Sequence, residues 1–429
     1  MFKKLLLTTA FSLALLPVAG TANAADLGGD CCADLEERVA VLEATTARKG
    51  NRKVSLTISG WVTQQLMGWD DGIDSDVYVG TSAADLGNRL HFDGSAKINS
   101  DWSAGYMLRI NITNDQGFSQ TATNDDAGAG ISVLNSNMWI KSETYGRLRW
   151  GRQSHASDDA WVDLSGAGSI FAANLVTFDG NSFALVGKGT NTRTAATWGT
   201  VGWCQTVGLG IYSDCGGDRT NSIRYDTPTI AGFTLSASWG EDDFWDVALR
   251  HSGQVGDFKI TGSVAYQWND DNRFGTALTT DFYQVNFAFL HQPSGIFGSV
   301  HYGYEDPEAA GVPDGDHLYL KAGVRTKLNQ LGSTVFYGEY GYNKDAYNTA
   351  ADIDANTAGN QSLGDVTGVG TVTGTTFDRY GLGVVQEIDA ASMALWVKWK
   401  HYETEIDGTA GTFESEDLDI FAFGGAIFF

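Results

Sequence analysis

The sequence is short of several features that mark other protein classes. In 429 residues there are 5 prolines and 4 cysteines, and Lys and Arg together number only 28 against 52 Asp and Glu. The resulting net charge of −24 makes nucleic-acid binding a poor expectation. The one long apolar run, Leu5 to Val18, falls short of the roughly 20 residues that a helix needs to cross a bilayer, and no later run is longer.

Catalytic and metal-binding motifs are also missing. The sequence has no HExxH, CxxC or phosphate-binding loop. Asp352, Asp354 and Asn356 imitate the start of a calcium loop, but Thr357 occupies the position where such a loop requires Gly. We therefore predict neither an enzyme nor a bound cofactor or metal, although acidic loops could attract divalent cations.

The amino terminus has the pattern of a secretory signal peptide. Lys3 and Lys4 precede the apolar run, and the small-residue site Ala22-Asn23-Ala24 follows it, so cleavage is expected after Ala24. The signal peptide would then comprise residues 1–24. An exported chain without a spanning helix can cross a membrane only with strands that close into a barrel.

The carboxy terminus favours such a barrel. Phe421, Phe423, Ile427 and Phe429 recur at alternate positions up to the last residue, with Gly425 between them. This period predicts a strand with a wholly apolar outer face. It resembles the final strand of bacterial outer-membrane barrels, whose aromatic end is read by the barrel-assembly machinery, which makes Phe429 the candidate assembly signal.

Alternation of apolar and polar residues predicts about sixteen strands, an even number as bacterial barrels require. A mean hydropathy of −0.18 suits a barrel that is polar inside. Short connections alternate with long acidic or Gly-rich ones, as expected if turns lie on one rim and loops on the other. The predicted spans are 53–69, 87–98, 102–113, 131–143, 146–153, 220–227, 232–240, 244–252, 256–268, 281–291, 295–304, 316–327, 332–343, 377–388, 392–404 and 417–429.

Three segments carry a more specific resemblance. Residues 146–153, GRLRWGRQ, look like the fifth strand of general bacterial porins, and residues 221–233 look like the sixth strand and the turn after it. Residues 31–54 resemble the start of mature α-proteobacterial porins. The resemblance implies a trimeric outer-membrane barrel at 51–429 that forms a water-filled channel for passive diffusion of small hydrophilic solutes and ions. The long gap at 154–219 would be the inserted loop that narrows the pore.

A charged constriction follows from that resemblance. In general porins a basic wall faces an acidic inserted loop, and the transverse field favours small polar solutes over apolar ones. The alternative is that the arginines merely solvate a wide lumen. The candidates are Arg89, Arg109, Arg147 and Arg149 on the wall and Asp158, Asp159, Asp163 and Asp179 on the loop.

Residues 25–50 precede the barrel and predict a short periplasmic helix. Leu35, Val39 and Leu42 have the spacing of a heptad fragment. A helix with this pattern could clasp three chains together, or could lie as a single helix on the rim.

Cys204 and Cys215 lie within the inserted loop and are a plausible disulfide in an exported protein. The pairing of adjacent Cys31 and Cys32 stays open.

The expected partners are two further copies of the chain, outer-membrane lipids and lipopolysaccharide, the assembly machinery and small hydrophilic solutes. The expected location is the bacterial outer membrane, with the leading helix in the periplasm. Three other functions stay open: a substrate-selective porin, a tether between the outer membrane and the cell wall, and a barrel lipid hydrolase. Acidic outer loops should raise the cation concentration at the channel mouth. At the constriction the loop aspartates should roughly offset the wall arginines, so we predict a weak preference for cations.

Overall fold

The computed structural model describes residues 53–82, 87–158, 162–165, 172–173, 179–202, 219–240, 243–270, 279–308, 313–345 and 363–429. The predicted signal peptide, the helix with Leu35, Val39 and Leu42, the residue Asp159 and the Cys204–Cys215 pair lie outside these ranges. Within them, no helix is long and apolar enough to cross a membrane.

Twenty strands and two short helices account for the regular structure of the described residues. The strands are β1 (Thr57–Asp70), β2 (Ser75–Gly80), β3 (Asn88–Lys97), β4 (Trp102–Thr113), β5 (Gly130–Ser142), β6 (Gly146–Ser154), β7 (Ala184–Gly187), β8 (Thr192–Thr197), β9 (Arg219–Asp226), β10 (Phe233–Gly240), β11 (Phe244–Val255), β12 (Phe258–Asn269), β13 (Thr280–His291), β14 (Ile296–Pro307), β15 (Gly315–Thr326), β16 (Thr334–Lys344), β17 (Val372–Ile388), β18 (Met393–Gly408), β19 (Gly411–Glu414) and β20 (Leu418–Phe428). The helices are α1 (Trp198–Val201) and α2 (Leu363–Thr367), and a 3₁₀ turn covers Asp389–Ala391.

Sixteen of these strands form one closed antiparallel barrel. The main sheet holds eighteen strands, but β2 and β19 only extend the ends of β1 and β18, which leaves sixteen in the wall. The last wall strand, β20, pairs with both β18 and β1, and this pairing closes the barrel. The predicted barrel is therefore confirmed, and each predicted span overlaps one wall strand. The widest difference is at β17, which begins at Val372 rather than at 377.

The connections divide the barrel into two rims. Seven short ones, such as the two-residue turn between β11 and β12, lie at what we call the turn rim. At this rim Ala231 and Gly232 both have positive φ values, 50° and 86°, as a two-residue hairpin turn between right-twisted strands requires. The other connections, which include the long one from β6 to β9 and the short one from β10 to β11, lie at the opposite end, the loop rim.

The two faces of the wall have opposite chemistry. On β1 the outward side chains of Val62 and Leu66 are 50% and 46% exposed, whereas the inward Thr63 and Gln65 are 0% and 3% exposed. On β20 the outward Phe421 and Phe423 are also half exposed. A soluble β-protein places apolar residues inside, so this inverted arrangement fits a barrel whose outer surface meets hydrocarbon.

Apolar packing is instead found inside the barrel, in two large clusters against the wall formed by β14–β20 and β1 and in a small contact between Ala248 and Ala265. The turn-rim cluster contains Phe297, Tyr337 and Trp396 together with Ala172 and Ala173 of the β6–β9 connection. The loop-rim cluster contains Trp69, Phe377 and Tyr402 together with residues of β7, β8, α1 and α2. Since both clusters include residues of the connection, these described parts of the β6–β9 segment lie within the lumen.

Candidate pore constriction

The β6–β9 segment turns into the lumen directly after β6. Asp246 on β11 accepts hydrogen bonds from the backbone N–H of Ser157, at 2.7 Å, and from that of Ala156, at 3.2 Å. Arg224 on β9 donates from Nη1 to the carbonyl of His155, at 2.5 Å, and Arg250 donates to the carbonyl of Asp158, at 2.8 Å. We call residues 155–158 the entry limb. It is held by polar side chains of β9–β11 that satisfy its backbone groups.

The segment then reaches a second part of the wall. The Asp163 carboxylate lies 2.5 Å from Lys321 Nζ on β15, and the same ammonium group donates to the carbonyl of Ala173, at 2.8 Å. Lys321 is 2% exposed. One wall lysine therefore joins two points of the segment that are ten residues apart in sequence.

A third contact brings the segment to β18 and β1. The Asp179 carboxylate lies 2.5 Å from Lys398 Nζ and accepts a hydrogen bond from Gln65 Nε2, at 2.7 Å. Its backbone carbonyl accepts from the Tyr402 hydroxyl, at 3.1 Å. Both charged side chains are fully buried, so each one depends on the other for compensation of its charge.

Burial and the neighbouring lysines act in opposite directions on the two loop aspartates. Burial disfavours the charged carboxylate of Asp179, but Lys398 and Lys400 outweigh it and hold its pKa below the usual value. Burial likewise opposes ionisation of Asp163, and Lys321 keeps its pKa below the usual value. Both carboxylates are therefore ionised at neutral pH.

Residues 180–201, which we call the return limb, are held by apolar packing against the wall and not only by hydrogen bonds and ion pairs. The Trp198 indole is 1% exposed, and its ring centroid lies 5.6 Å from that of Phe377 and 5.8 Å from that of Tyr402. Phe183 stacks edge-on against Trp69, at 5.0 Å. The limb thus buries large aromatic side chains against the inner wall.

The four predicted arginines all lie on the lumen side of β3–β6. Arg89 and Arg109 share this face because Arg89 pairs across from Asn111 and Arg109 across from His91. Arg149 donates to the Asp226 carboxylate, at 2.9 Å, and Arg147 lies 3.3 Å from the same group. Asp158 has its carboxylate 4.0 Å from Arg219. The structure thus places these arginines and the contacts of Asp163 and Asp179 on different sectors of the wall.

Several charged residues of the lumen were not among the predicted constriction residues. Lys321, Lys398 and Lys400 stood on the polar faces of predicted strands, and alternation alone could have nominated them. Nothing in the sequence indicated which of them would meet the inserted segment. Also missed were Arg219, Arg224, Asp226, Arg250 and Glu339, whose carboxylate lies 3.1 Å from Lys400.

Comparison with known proteins decides the family. A model of the Gram-negative porins matches residues 8–415. The chain belongs to the Gram-negative porin family. It is an outer-membrane channel protein. No curated protein matches the sequence significantly.

Solved structures share the fold of this porin at low sequence identity. An anion-selective porin from Comamonas acidovorans is 16% identical with a TM-score of 0.54, and the match covers 88% of this chain and 100% of the other. OmpF from Salmonella typhi, in complex with daunomycin, is 14% identical with a TM-score of 0.51 over 89% and 99% of the two chains. A trimer form of OmpT from Vibrio cholerae is 12% identical with a TM-score of 0.51 over 88% and 99%.

Proposed function

We propose that this porin allows small hydrophilic solutes and ions to diffuse passively past a charged constriction, and that it is not an enzyme. The observation that carries the proposal is the inserted segment, which crosses the lumen and bonds to three sectors of a polar wall through Asp246, Lys321 and Lys398. A segment that is fixed to the wall at several places would narrow the passage and would not swing about one attachment point.

Selection in such a channel would come from charge on opposite sides of a narrow aqueous path. Arg147, Arg149 and Arg224 surround one carboxylate, Asp226, and so leave positive charge on their sector of the wall. Acidic residues such as Asp125 and Asp126 in the β4–β5 loop raise the local cation concentration at the loop rim. Fixed charges act most strongly where water is scarcest.

The test is the reversal potential of single channels in planar bilayers under a salt gradient. Removing the loop charges with D158N/D163N should shift the reversal potential toward anions, because Asp163 no longer offsets Lys321. The matched control D125N/D126N removes the same number of charges at the mouth and should shift it less, and less still at high salt.

An unchanged reversal potential in D158N/D163N would mean that these residues do not line the constriction. A protein that forms no channel would instead favour the tether or the lipid hydrolase. A change in the migration of each variant on boiling, on a denaturing gel, would show that its barrel is folded.

We further propose that the porin is a homotrimer with its turn rim and leading helix in the periplasm. The trimer form of the V. cholerae protein supports this assembly, as does the heptad pattern at Leu35, Val39 and Leu42. Unheated wild-type protein that migrates as a monomer would contradict the trimer.

We also propose that the loop rim contacts lipopolysaccharide and that Phe429 is recognised by the assembly machinery. Deletion of Phe429 should therefore lower the amount of folded barrel in the outer membrane.

The Cys204–Cys215 disulfide stays a prediction with a direct measurement. Mass spectrometry of an unreduced digest should recover the two residues in one linked peptide, and two free thiols would remove the bridge without affecting the channel.

A further inference from the structure

A histidine and three carboxylates meet on the outward face of the barrel, near the loop rim. His401 and Glu403 are two residues apart on β18 and therefore share a face. Asp417 comes immediately before β20, and Asp419 pairs directly across from His401. The porin channel on the other side of the wall does not involve these side chains.

The first three residues have the spacing of metal ligands. His401 Nε2 lies 3.2 Å from Glu403 Oε1 and 3.9 Å from Asp417 Oδ2, and the three ligand atoms are all within 4.8 Å of one another. Nitrogen and carboxylate ligands lie about 2.0–2.2 Å from a zinc ion, which places neighbouring ligand atoms roughly 3 to 4 Å apart. One ion can therefore contact all three side chains with small adjustments.

A second observation concerns the other ring nitrogen of His401. Nδ1 lies 3.0 Å from Asp419 Oδ1, and the same oxygen accepts a hydrogen bond from Trp399 Nε1, at 2.8 Å. The imidazole also stacks on the Trp399 ring, with centroids 5.8 Å apart. When Nδ1–H donates to a carboxylate, the lone pair belongs to Nε2, which is how metal-binding histidines are oriented in proteins.

We propose that His401, Glu403 and Asp417 form a binding site for a divalent transition metal ion of the Zn²⁺ class, with Asp419 and Trp399 as positioning residues. The imidazole ligand favours such ions over Ca²⁺ and Mg²⁺, which prefer all-oxygen sites. The site offers three protein ligands, and its Glu403 and Asp417 side chains are about half exposed, which leaves a fourth position open toward the surroundings.

The position of the site gives it a structural consequence. It links β18 to the residue that ends the β19–β20 connection, and this connection also bonds to the β7–β8 hairpin of the return limb through Ser415 and Glu416. A bound ion would therefore fix the base of the last outer loop against the wall.

Without metal, a protonated His401 can form ion pairs with the carboxylates around it. An imidazolium with protons on both nitrogens would donate to Asp419 on one side and to Glu403 on the other. Protons and metal thus compete for Nε2, and metal affinity should fall as the pH is lowered.

The experiment uses untagged full-length protein in detergent, stripped with a chelator and then titrated with ZnCl₂ by calorimetry. We expect a Zn²⁺ site that weakens at least tenfold in H401N and in E403Q/D417N. The control H251N removes another outward-facing histidine, near the turn rim, whose ring packs on Phe233 at 4.4 Å, and it should leave the Zn²⁺ site unchanged. CoCl₂ should give a visible absorption band in the wild type that H401N loses.

Three outcomes would overturn the proposal. Zn²⁺ affinity that is equal in wild type and H401N would place the ion elsewhere on the chain. Binding that depends on the carboxylates but not on His401, with Ca²⁺ as strong as Zn²⁺, would indicate a simple acidic surface. Absence of a Zn²⁺ site in all proteins would leave only the imidazolium ion pairs. Heat-dependent gel migration identifies folded variants, and E403Q/D417N tests the site even if H401N does not fold.

Discussion

The two limbs of the inserted segment are held in the lumen by different forces. The entry limb, residues 155–158, bonds through its backbone to Asp246, Arg224 and Arg250. The return limb, residues 180–201, instead buries Phe183 and Trp198 against aromatic residues of the wall. Hydrogen bonds fix direction and atomic position, whereas apolar packing supplies most of the free energy. The first limb therefore sets the path of the chain, and the second holds it in place.

The largest expected effect is on the return limb. Trp198→Ala removes a side chain that is 1% exposed, and loss of such an aromatic side chain costs about 3–5 kcal/mol. We expect faster cleavage within residues 180–201 by added protease and larger, noisier single-channel currents. Trp239→Ala, which removes a 60% exposed indole from the outer wall, is the control and should leave both measurements near wild type. Equal behaviour of the two variants would mean that the return limb is not held by packing.

A smaller effect is expected on the entry limb. Asp246→Asn keeps the shape of the side chain but removes the negative charge of the carboxylate that accepts hydrogen bonds from the backbone N–H groups of Ser157 and Ala156. Hydrogen bonds to charged groups are worth about 1.5–3 kcal/mol, so the entry limb should be held less firmly. Single-channel conductance should change in its mean value with little added noise, because the limb shifts while the return limb stays packed. Asp93→Asn, at a partly exposed lumen position on β3, is the control. A noise increase as large as that of Trp198→Ala would remove the distinction between the limbs.

The smallest effect is expected from pH. Because the pKa values of Asp163 and Asp179 are lowered, their contribution to stability is fully present above about pH 4 and is lost as the pH falls through the lowered values. Conductance at constant salt should therefore stay level from pH 8 to pH 5 and change only in stronger acid. Lys398→Met removes the partner of Asp179 and should move this change to higher pH. A wild-type step between pH 5 and pH 8 would contradict the assignment.

The wall was predictable from sequence because a barrel in a membrane imposes a strict period of two on every strand. Leu90 and Phe92 alternate with Arg89 and His91 along β3. A slip of one residue in the pairing would turn the charged side chains toward the membrane, so the register is strongly specified. The four short strands β2, β7, β8 and β19 were missed because they lie in the loops and the inserted segment, where no such period is imposed. Their pairing is set by neighbours, as when β2 extends the edge of β1.

The constriction was harder to predict for a related reason. Alternation could have placed Lys321 and Lys398 on the lumen face, but the partner of each depends on the path of the inserted segment. Asp163 and Asp179 meet lysines more than 150 residues away in sequence. Local patterns carry no information about such distant pairs, so the sequence supplied the charges of the site without their pairing.

The closure between the first and last strands has a consequence for synthesis. Trp61 pairs with Phe428, so the wall stays an open sheet with two bare edges until almost the whole chain has been made and delivered. Bare edges in a partly built sheet recruit other strands, including those of other chains. A shortened chain should therefore aggregate or be degraded rather than form a narrower pore, and the barrel should close only once its final residues are available.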